Sequence, residues 1–476
     1  MWIRILPLAL LMLGIAACAS GPDYKVPTLP ASAGGSFAMA SSAVTDTPVM
    51  ADDRWWLMYQ DPVLDRLIDD ALQANTDIRV ALARLDRARA TLREVKGDRL
   101  PDTRFAIDTN RQRMAAVQTI PGTDRDNTYV DAGLSVAYEV DLFGRVRREV
   151  QAARGDYTAA GADLDTARLT IVADTTQAYV DAASAAQRQA VAEHIVALLG
   201  RTLRTTRARQ KAGLTGALDV ARIAALREQR NSDIPALAAE RQAALFRLAV
   251  LTGRTPDELP AEAGARSAPP TIDQPIPVGD GMQLLGRRPD VRASERRLAA
   301  ATARIGVATA DLYPRVSLGA SVGSTAFGFG NYFGQAPLNW LIGPMLSWSF
   351  PNQARQRAQI DRAKAETREA LATFDGTILR ALAETETALS NYARALDRRS
   401  ALAAASDEAE RAVKIVRAQQ REGTVDSLSL LDAERTFADA QADLATADGR
   451  IADDQVSLFR ALGGGWLPVA GRAPPL

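Results

Sequence analysis

The chain has 476 residues, with 57 basic and 57 acidic side chains and one histidine. The charges cancel, which removes the electrostatic case for a nucleic-acid partner. One cysteine and one histidine exclude an internal disulfide framework and a Cys/His zinc cage, and aromatics at 5% amid Ala-, Leu-, Arg-, Asp- and Glu-rich tracts suit long helices.

The first 17 residues carry Arg4 and then the apolar run Ile5 to Ala16, a signal-peptide pattern too short to span a ~30 Å hydrocarbon core comfortably. The run ends Ile15-Ala16-Ala17-Cys18, which resembles the bacterial lipobox and implies a mature chain beginning at an acylated Cys18. An ordinary secretory signal with a stray thiol is the bland alternative. Ala19 stands where inner-membrane lipoproteins commonly carry Asp, which favours the outer membrane. Residues 18–54 are rich in Gly, Pro, Ser and Thr and read as an acylated tether.

From there the chain runs through one programme twice. Asp61-Pro62 opens a helix with Leu64, Leu67, Ile68 and Ala71 on one face, expected to continue to about Val95 and to stop at Pro101. Asn75-Thr76-Asp77-Ile78-Arg79 is echoed by Arg288-Pro289-Asp290-Val291-Arg292, and Leu100-Pro101 by Tyr313-Pro314. Asp77 and Asp290 are 213 positions apart (290 − 77), and so are Pro101 and Pro314 (314 − 101). The repeats are expected at 55–253 and 281–464, with a Pro/Gly-rich linker at 254–280 and a tail at 465–476.

Each repeat holds two alternating stretches, 103–112 and 129–140 in the first and 314–323 and 341–350 in the second. Phe105 and Ile107 alternate with Arg104 and Asp108, and Val316, Leu318 and Ala320 with Arg315, Ser317 and Gly319. Such period-two patterning with one polar face fits strands between lipid and water, and also fits a soluble half-buried sheet. Phe327, Phe329, Tyr332, Phe333 and Trp340 gather between the last two, as an interfacial girdle would. After each pair comes a proline-free tract, Arg145 to Gln210 and Ala354 to Glu422, each roughly 100 Å long as a helix. Gly213 and Gly423 allow the chain to turn back, and Pro235 should kink the first returning helix. Helices that long need partners.

Four strands cannot close a transmembrane barrel, since the smallest have about eight, and an open sheet in lipid leaves backbone groups unpaired. Two, three or four copies would each supply a closable number. The chain resembles the TolC-like outer membrane factor family, in its lipoprotein branch of efflux subunits. The matching segments are Gly21-Pro22-Asp23-Tyr24, Trp55-Trp56 with Asp61-Pro62-Val63-Leu64, and Ala137-Tyr138-Glu139-Val140-Asp141-Leu142-Phe143-Gly144-Arg145. Further along come Ile234-Pro235-Ala236-Leu237, Arg287-Arg288-Pro289-Asp290-Val291-Arg292, Ala310-Asp311-Leu312-Tyr313-Pro314 and Leu430-Leu431-Asp432-Ala433. They cover nearly the whole mature chain in the family's order.

The resemblance implies a mixed α+β membrane protein: a homotrimer with a 12-stranded outer membrane β-barrel continued by a long periplasmic α-helical barrel. It implies a passive efflux channel working with a periplasmic adaptor protein and an inner membrane pump, without a cofactor beyond the lipid on Cys18. The periplasmic tip falls at Gly213, Asp219, Gly423 and Asp426, and a ring of carboxylates at Asp432, with Ser429 where some members carry a second acid. Asp432 pairing with an arginine such as Arg435 is the plainer alternative, as is a simple helix-terminal charge for Asp219. Gln420 and Val425 replace the Tyr and Arg that latch some members, and Arg421, Glu422 or Asp426 are possible substitutes. His194 is a solvated or core-edge side chain before it is a pH sensor. No Gly-rich phosphate loop, metal cluster or activated nucleophile is visible, which opposes an enzyme. Type I protein secretion and a periplasmic coiled-coil scaffold are the alternatives.

Overall fold

The computed structural model describes residues 20–28, 31–39, 54–122, 124–328 and 338–464. Cys18 and the signal segment, Phe329, Tyr332, Phe333 and the tail 465–476 lie outside the described residues. Four strands, β1 Asp102–Arg113, β2 Asp126–Val140, β3 Arg315–Phe327 and β4 Leu338–Ser347, form one antiparallel sheet in the order β1-β2-β3-β4.

The helices are α1 Pro62–Ala74, α2 Thr76–Gly97, α3 Arg145–Lys211, α4 Ala217–Asn231 and α5 Asp233–Leu251 in the first repeat. The second has α6 Gly281–Arg287, α7 Pro289–Ala310, α8 Ala354–Arg421 and α9 Ser427–Ala461. Two compact units result: residues through Pro27 with 84–161 and 293–375, and residues 28–83 with 162–292 and 376–476.

The first unit contains the sheet. Register lines Phe105, Leu134, Val322 and Trp340 across all four strands on one face. Asp108, Asp131 and Thr325 line up on the other, where Thr325 Oγ1 donates to Asp131 at 2.5 Å and Asn339 Nδ2 to Thr325 at 2.8 Å. Phe105 is 65% and Trp340 72% exposed, so among the described residues nothing covers this end of the apolar face. β4 ends at Ser347, earlier than the alternation suggests. Trp348 and Phe350 leave the strand and stack at 4.7 Å, and the Trp348 indole donates to Leu312 O at 3.0 Å.

The same unit binds the N-terminal segment. Ser20 N donates to Phe143 O at 2.9 Å, and the buried Arg148 guanidinium reaches Ser20 O, Gly21 O and Asp23 at 3.1, 3.2 and 2.8 Å. Tyr24 OH donates to Glu295. Gly21 crosses Gly306 so closely that a Cβ on Gly21 would lie 2.5 Å from the Gly306 Cα. A stretch with tether-like composition is therefore docked from Ser20 to Tyr24.

In the second unit α1 begins at Asp61, whose Oδ1 accepts from the amides of Val63 and Leu64 at 2.9 and 3.3 Å. Its Oδ2 takes the Tyr179 hydroxyl at 2.9 Å and Arg266 at 2.6 Å, so a buried carboxylate joins three segments. Trp55 stacks on Phe459 at 4.6 Å. Gln455 clamps Ile272 of the linker by both backbone groups, accepting at 3.1 Å and donating at 2.9 Å.

Two helices expected to be continuous are broken. α1 stops at Asn75, in extended backbone, whose Oδ1 caps α2 through the amides of Asp77 and Ile78. The returning helix of the first repeat breaks at Ser232. Pro235 then lies in the first turn of α5, where its missing N–H has no intrahelical partner to lose, and so it does not kink a helix interior.

Candidate functional site

The ends of the two helical hairpins lie in the second unit and are built alike. α3 stops where Gly213, at φ 72°, donates to Gln210 O at 2.9 Å and Leu214 N to Arg209 O at 2.9 Å. α8 stops the same way at Gly423, φ 78°, with Gly423 N to Gln420 O at 3.2 Å and Thr424 N to Gln419 O at 3.0 Å. This paired bonding needs a left-handed residue, which glycine adopts without a Cβ clash.

The returning helices start differently. α9 has Asp426 as N-cap: its Oδ1 accepts from the Ser429 amide at 2.9 Å and the Ser429 hydroxyl at 2.6 Å. Those two donors hold the Asp426 carboxyl below the usual carboxylate range. α4 has Gly216 at the equivalent place and no side-chain cap. Asp219, one turn in, instead accepts from the Thr215 hydroxyl at 2.6 Å, and Thr215 Oγ1 lies 3.4 Å from Ser427 Oγ. Thr215 with Asp219 thus meets Ser427 of the other hairpin.

Asp432 is exposed, and among the described residues its carboxylate has no ion-pair partner; Arg435 reaches Asp439 instead, at 3.9 Å. Ser429 is spent on the Asp426 cap. Gln420 is buried, and its carbonyl accepts from Arg209 at 3.2 Å across the hairpins. His194 is exposed on α3.

Sequence reasoning passes over Glu434, which the structure makes the hub of this end of the unit. Its side chain has no exposed surface, and its Oε1 accepts from the Thr202 hydroxyl at 2.7 Å and from Arg417 at 3.1 Å. One carboxylate thus ties α9 to both long helices, α3 and α8. The signal was present: Leu430, Glu434, Phe437 and Ala438 fall on one buried helix face, an acid among apolar residues. Further up α9, burial pushes the Asp453 carboxyl up to about 6, against a hydrogen bond from Gln177 that acts the other way.

Among the described residues no group of His, Cys, Asp or Glu side chains is placed to hold a metal, and no helix is long and apolar enough to cross a membrane.

The pattern of the family described as "Outer membrane efflux protein" matches residues 67–254 and 282–464, one match per repeat. The chain is 32% identical to outer membrane protein OprJ of Pseudomonas aeruginosa over 96% of this chain and 95% of that protein. It is 31% identical to the pyoverdine export outer membrane protein OpmQ of Pseudomonas putida, over 97% of each. The solved structure of the outer-membrane channel OprN matches with a TM-score of 0.87 at 35% identity, over 94% of this chain and all of that one. Repeat, sheet and helices together make this chain a member of the outer membrane efflux protein family, with its TolC-like fold: an outer membrane efflux channel and not an enzyme.

Proposed function

We propose that three copies close a twelve-stranded barrel, β4 of each pairing with β1 of the next, and that the trimer is a passive duct between a pump and the exterior. The observation that carries this reading is the sheet itself. Its four strands leave the outer edges of β1 and β4, 12 and 10 residues long, without a partner among the described residues. In lipid, each unpaired backbone group costs several kcal/mol, so such edges must meet other strands. Three copies rather than two or four rest on the resemblance to TolC-like factors.

Energy enters through an inner membrane pump and a periplasmic adaptor, which meets the hairpin ends at Gly213 to Asp219 and Gly423 to Asp426. Three Asp432 carboxylates face one another at the narrowest point, where like charges attract cations. Acyl chains on Cys18 anchor each subunit more firmly than one chain would. A passive duct needs no cargo-specific chemistry, so the pyoverdine of one relative's name does not fix the cargo here.

The test is the native mass of the full-length protein extracted in detergent. Three mature chains, each the 51.0 kDa chain less residues 1–17, plus bound lipid are expected. A stable monomer, or a dimer or tetramer, overturns the stoichiometry. In the same measurement Cys18→Ser should lose the acyl mass, and an unchanged mass would remove the lipidation assignment.

A further inference from the structure

We propose that each chain holds one acidic phospholipid of the outer membrane by its headgroup, in a recess of the first unit beneath the end of β4, with Arg355 as the cation that takes the phosphate. The recess measures about 470 Å³, within the range of small-molecule sites, roughly 300–1,000 Å³. Asp311, Arg315, Ser347, Trp348, Ser349 and Arg355 stand on its walls.

The connection from β4 to α8 builds the recess. Trp348 Nε1 and Gln353 Nε2 both donate to Leu312 O, at 3.0 and 3.1 Å, which folds the connection back against the residues that lead into β3. Asn352 Oδ1 then accepts from Ala354 N at 3.2 Å and opens α8, so Arg355 lies in its first turn. Across the recess Arg315 and Ser347 are partners in the β3–β4 register.

The walls carry two arginines and one aspartate. Arg315 Nη2 donates to Asp311 Oδ1 at 2.6 Å, so those two charges cancel. Arg355 is exposed and has no ion pair or side-chain hydrogen bond among the described residues. One positive charge is therefore left over. Its guanidinium fork suits a phosphate, and the amides of the first turn of α8 favour an anion at the same end.

A second, independent observation makes the ligand a lipid and not a free anion. Trp348, on the wall of the recess, stacks on Phe350 at 4.7 Å, and the two are 48% and 68% exposed. Leu346, on the apolar face of β4, is 68% exposed. Exposed apolar surface thus runs from the strand into the wall of the recess. A free phosphate would use Arg355 and leave this surface in water. A phospholipid uses both: its acyl chains lie along Leu346 and Phe350 and its phosphate meets Arg355. Aromatic rings at headgroup level with a cation beside them are the pattern a membrane interface favours. A headgroup of net charge about −1, such as phosphatidylglycerol, matches the single surplus charge better than a zwitterionic one.

The inference rests on the sheet lying in the outer membrane, and on neither the number of copies nor the acylation of Cys18. Full-length protein in detergent is titrated calorimetrically with dihexanoyl-phosphatidylglycerol, and separately with dihexanoyl-phosphatidylcholine and inorganic phosphate. Saturable binding of one phosphatidylglycerol per chain is expected, about tenfold tighter than phosphatidylcholine, the scale of one charged hydrogen-bonded contact. Arg355→Ala should remove that preference and leave phosphatidylcholine unmoved, whereas Arg355→Lys should keep most of it. Phe350→Ala should weaken both lipids about threefold, and phosphate should not saturate in the same range. Absence of saturable binding, equal affinity for the two lipids, or an equal loss in Arg368→Ala, an exposed arginine further along α8, overturns the site. Phosphate binding as tightly as the lipid would overturn the lipid assignment. If Arg355→Ala does not fold, Arg355→Lys and the comparison of headgroups decide alone.

Discussion

Asn75 and Arg288 make the same connection in the two repeats. They are 213 positions apart (288 − 75), each in extended backbone between two helices. Asn75 Nδ2 donates to Leu251 O at 2.9 Å, and Arg288 Nη1 to Ala461 O at 2.9 Å, the last residues of α5 and α9. A helix C-terminus presents carbonyls without intrahelical donors, so both side chains satisfy groups that burial would otherwise strand. The repeats divide the labour differently. Asn75 also caps α2 with its own Oδ1, whereas in the second repeat Asp290 accepts from Val291 N while Arg288 grips Asp290 and Glu384.

Removing either side chain should therefore destabilise the second unit. Asn75→Ala and Arg288→Ala are each expected to cost about 1–3 kcal/mol, the range for stranding a buried acceptor. Arg288→Lys should recover little, because one ammonium cannot reach the carbonyl and two carboxylates in the fork geometry. Urea unfolding followed by helical circular dichroism measures this, and a lysine variant as stable as the parent would contradict the fork.

The docked N-terminal segment makes a second prediction. A Cβ at Gly306 would lie 2.7 Å from both Arg148 Cγ and Ser20 O. Gly306→Ala must displace the segment or the arginine that holds it, at about 1–3 kcal/mol for overpacking. Lys25 is exposed within that segment. Trypsin should cut after it about tenfold faster in Gly306→Ala, since cleavage follows the population of the opened state. Equal cleavage rates would mean the segment is not held by this crossing.

Asp432 and Glu434 are two residues apart on α9 and should respond oppositely. Glu434→Ala leaves Arg417 and Thr202 without their shared acceptor and should lower stability by about 1–3 kcal/mol. Asp432→Ala removes an exposed side chain, so stability should stay within about 0.5 kcal/mol. Under the proposed ring it should instead alter single-channel conductance or cation preference. Unchanged single-channel records for Asp432→Ala would remove it from the pore.

What the sequence discloses and what it hides follow from the range of the forces involved. Strands are legible because Phe105 and Ile107 alternate with Arg104 and Asp108 over a few residues, and one face must choose lipid or water. Helix stops at Gly213 and Gly423 are legible because a left-handed residue is a local requirement. The breaks at Asn75 and Ser232 are not, since apolar periodicity continues through both and the ends are fixed by capping and distant carbonyls. The docking of Ser20 to Tyr24 is equally hidden: it depends on Gly21 meeting Gly306 and on Arg148 turning inward, which composition does not encode. Glu434 shows only as an acid on an apolar face, and its partners Thr202 and Arg417 come from two other helices.

Asp453 gives the pH prediction. Burial raises its carboxyl from 3.8 to about 6 in the folded chain. Between those values Asp453 binds more proton in the folded state than in the unfolded state, so its contribution to stability rises as pH falls from about 7 towards 4. This is the reverse of the capping acid Asp426, whose depressed carboxyl contributes stability above its unfolded pKa that is lost at lower pH. The two are separated by substitution. Asp453→Asn keeps the shape and removes the buried charge, so it should be more stable than the parent at pH 7.5 and should flatten the rise towards pH 5. Melting temperatures of both proteins at pH 7.5, 6 and 5 measure the difference. A parent whose melting temperature falls steadily over that interval, in step with Asp453→Asn, would show that Asp453 is ionised at no cost.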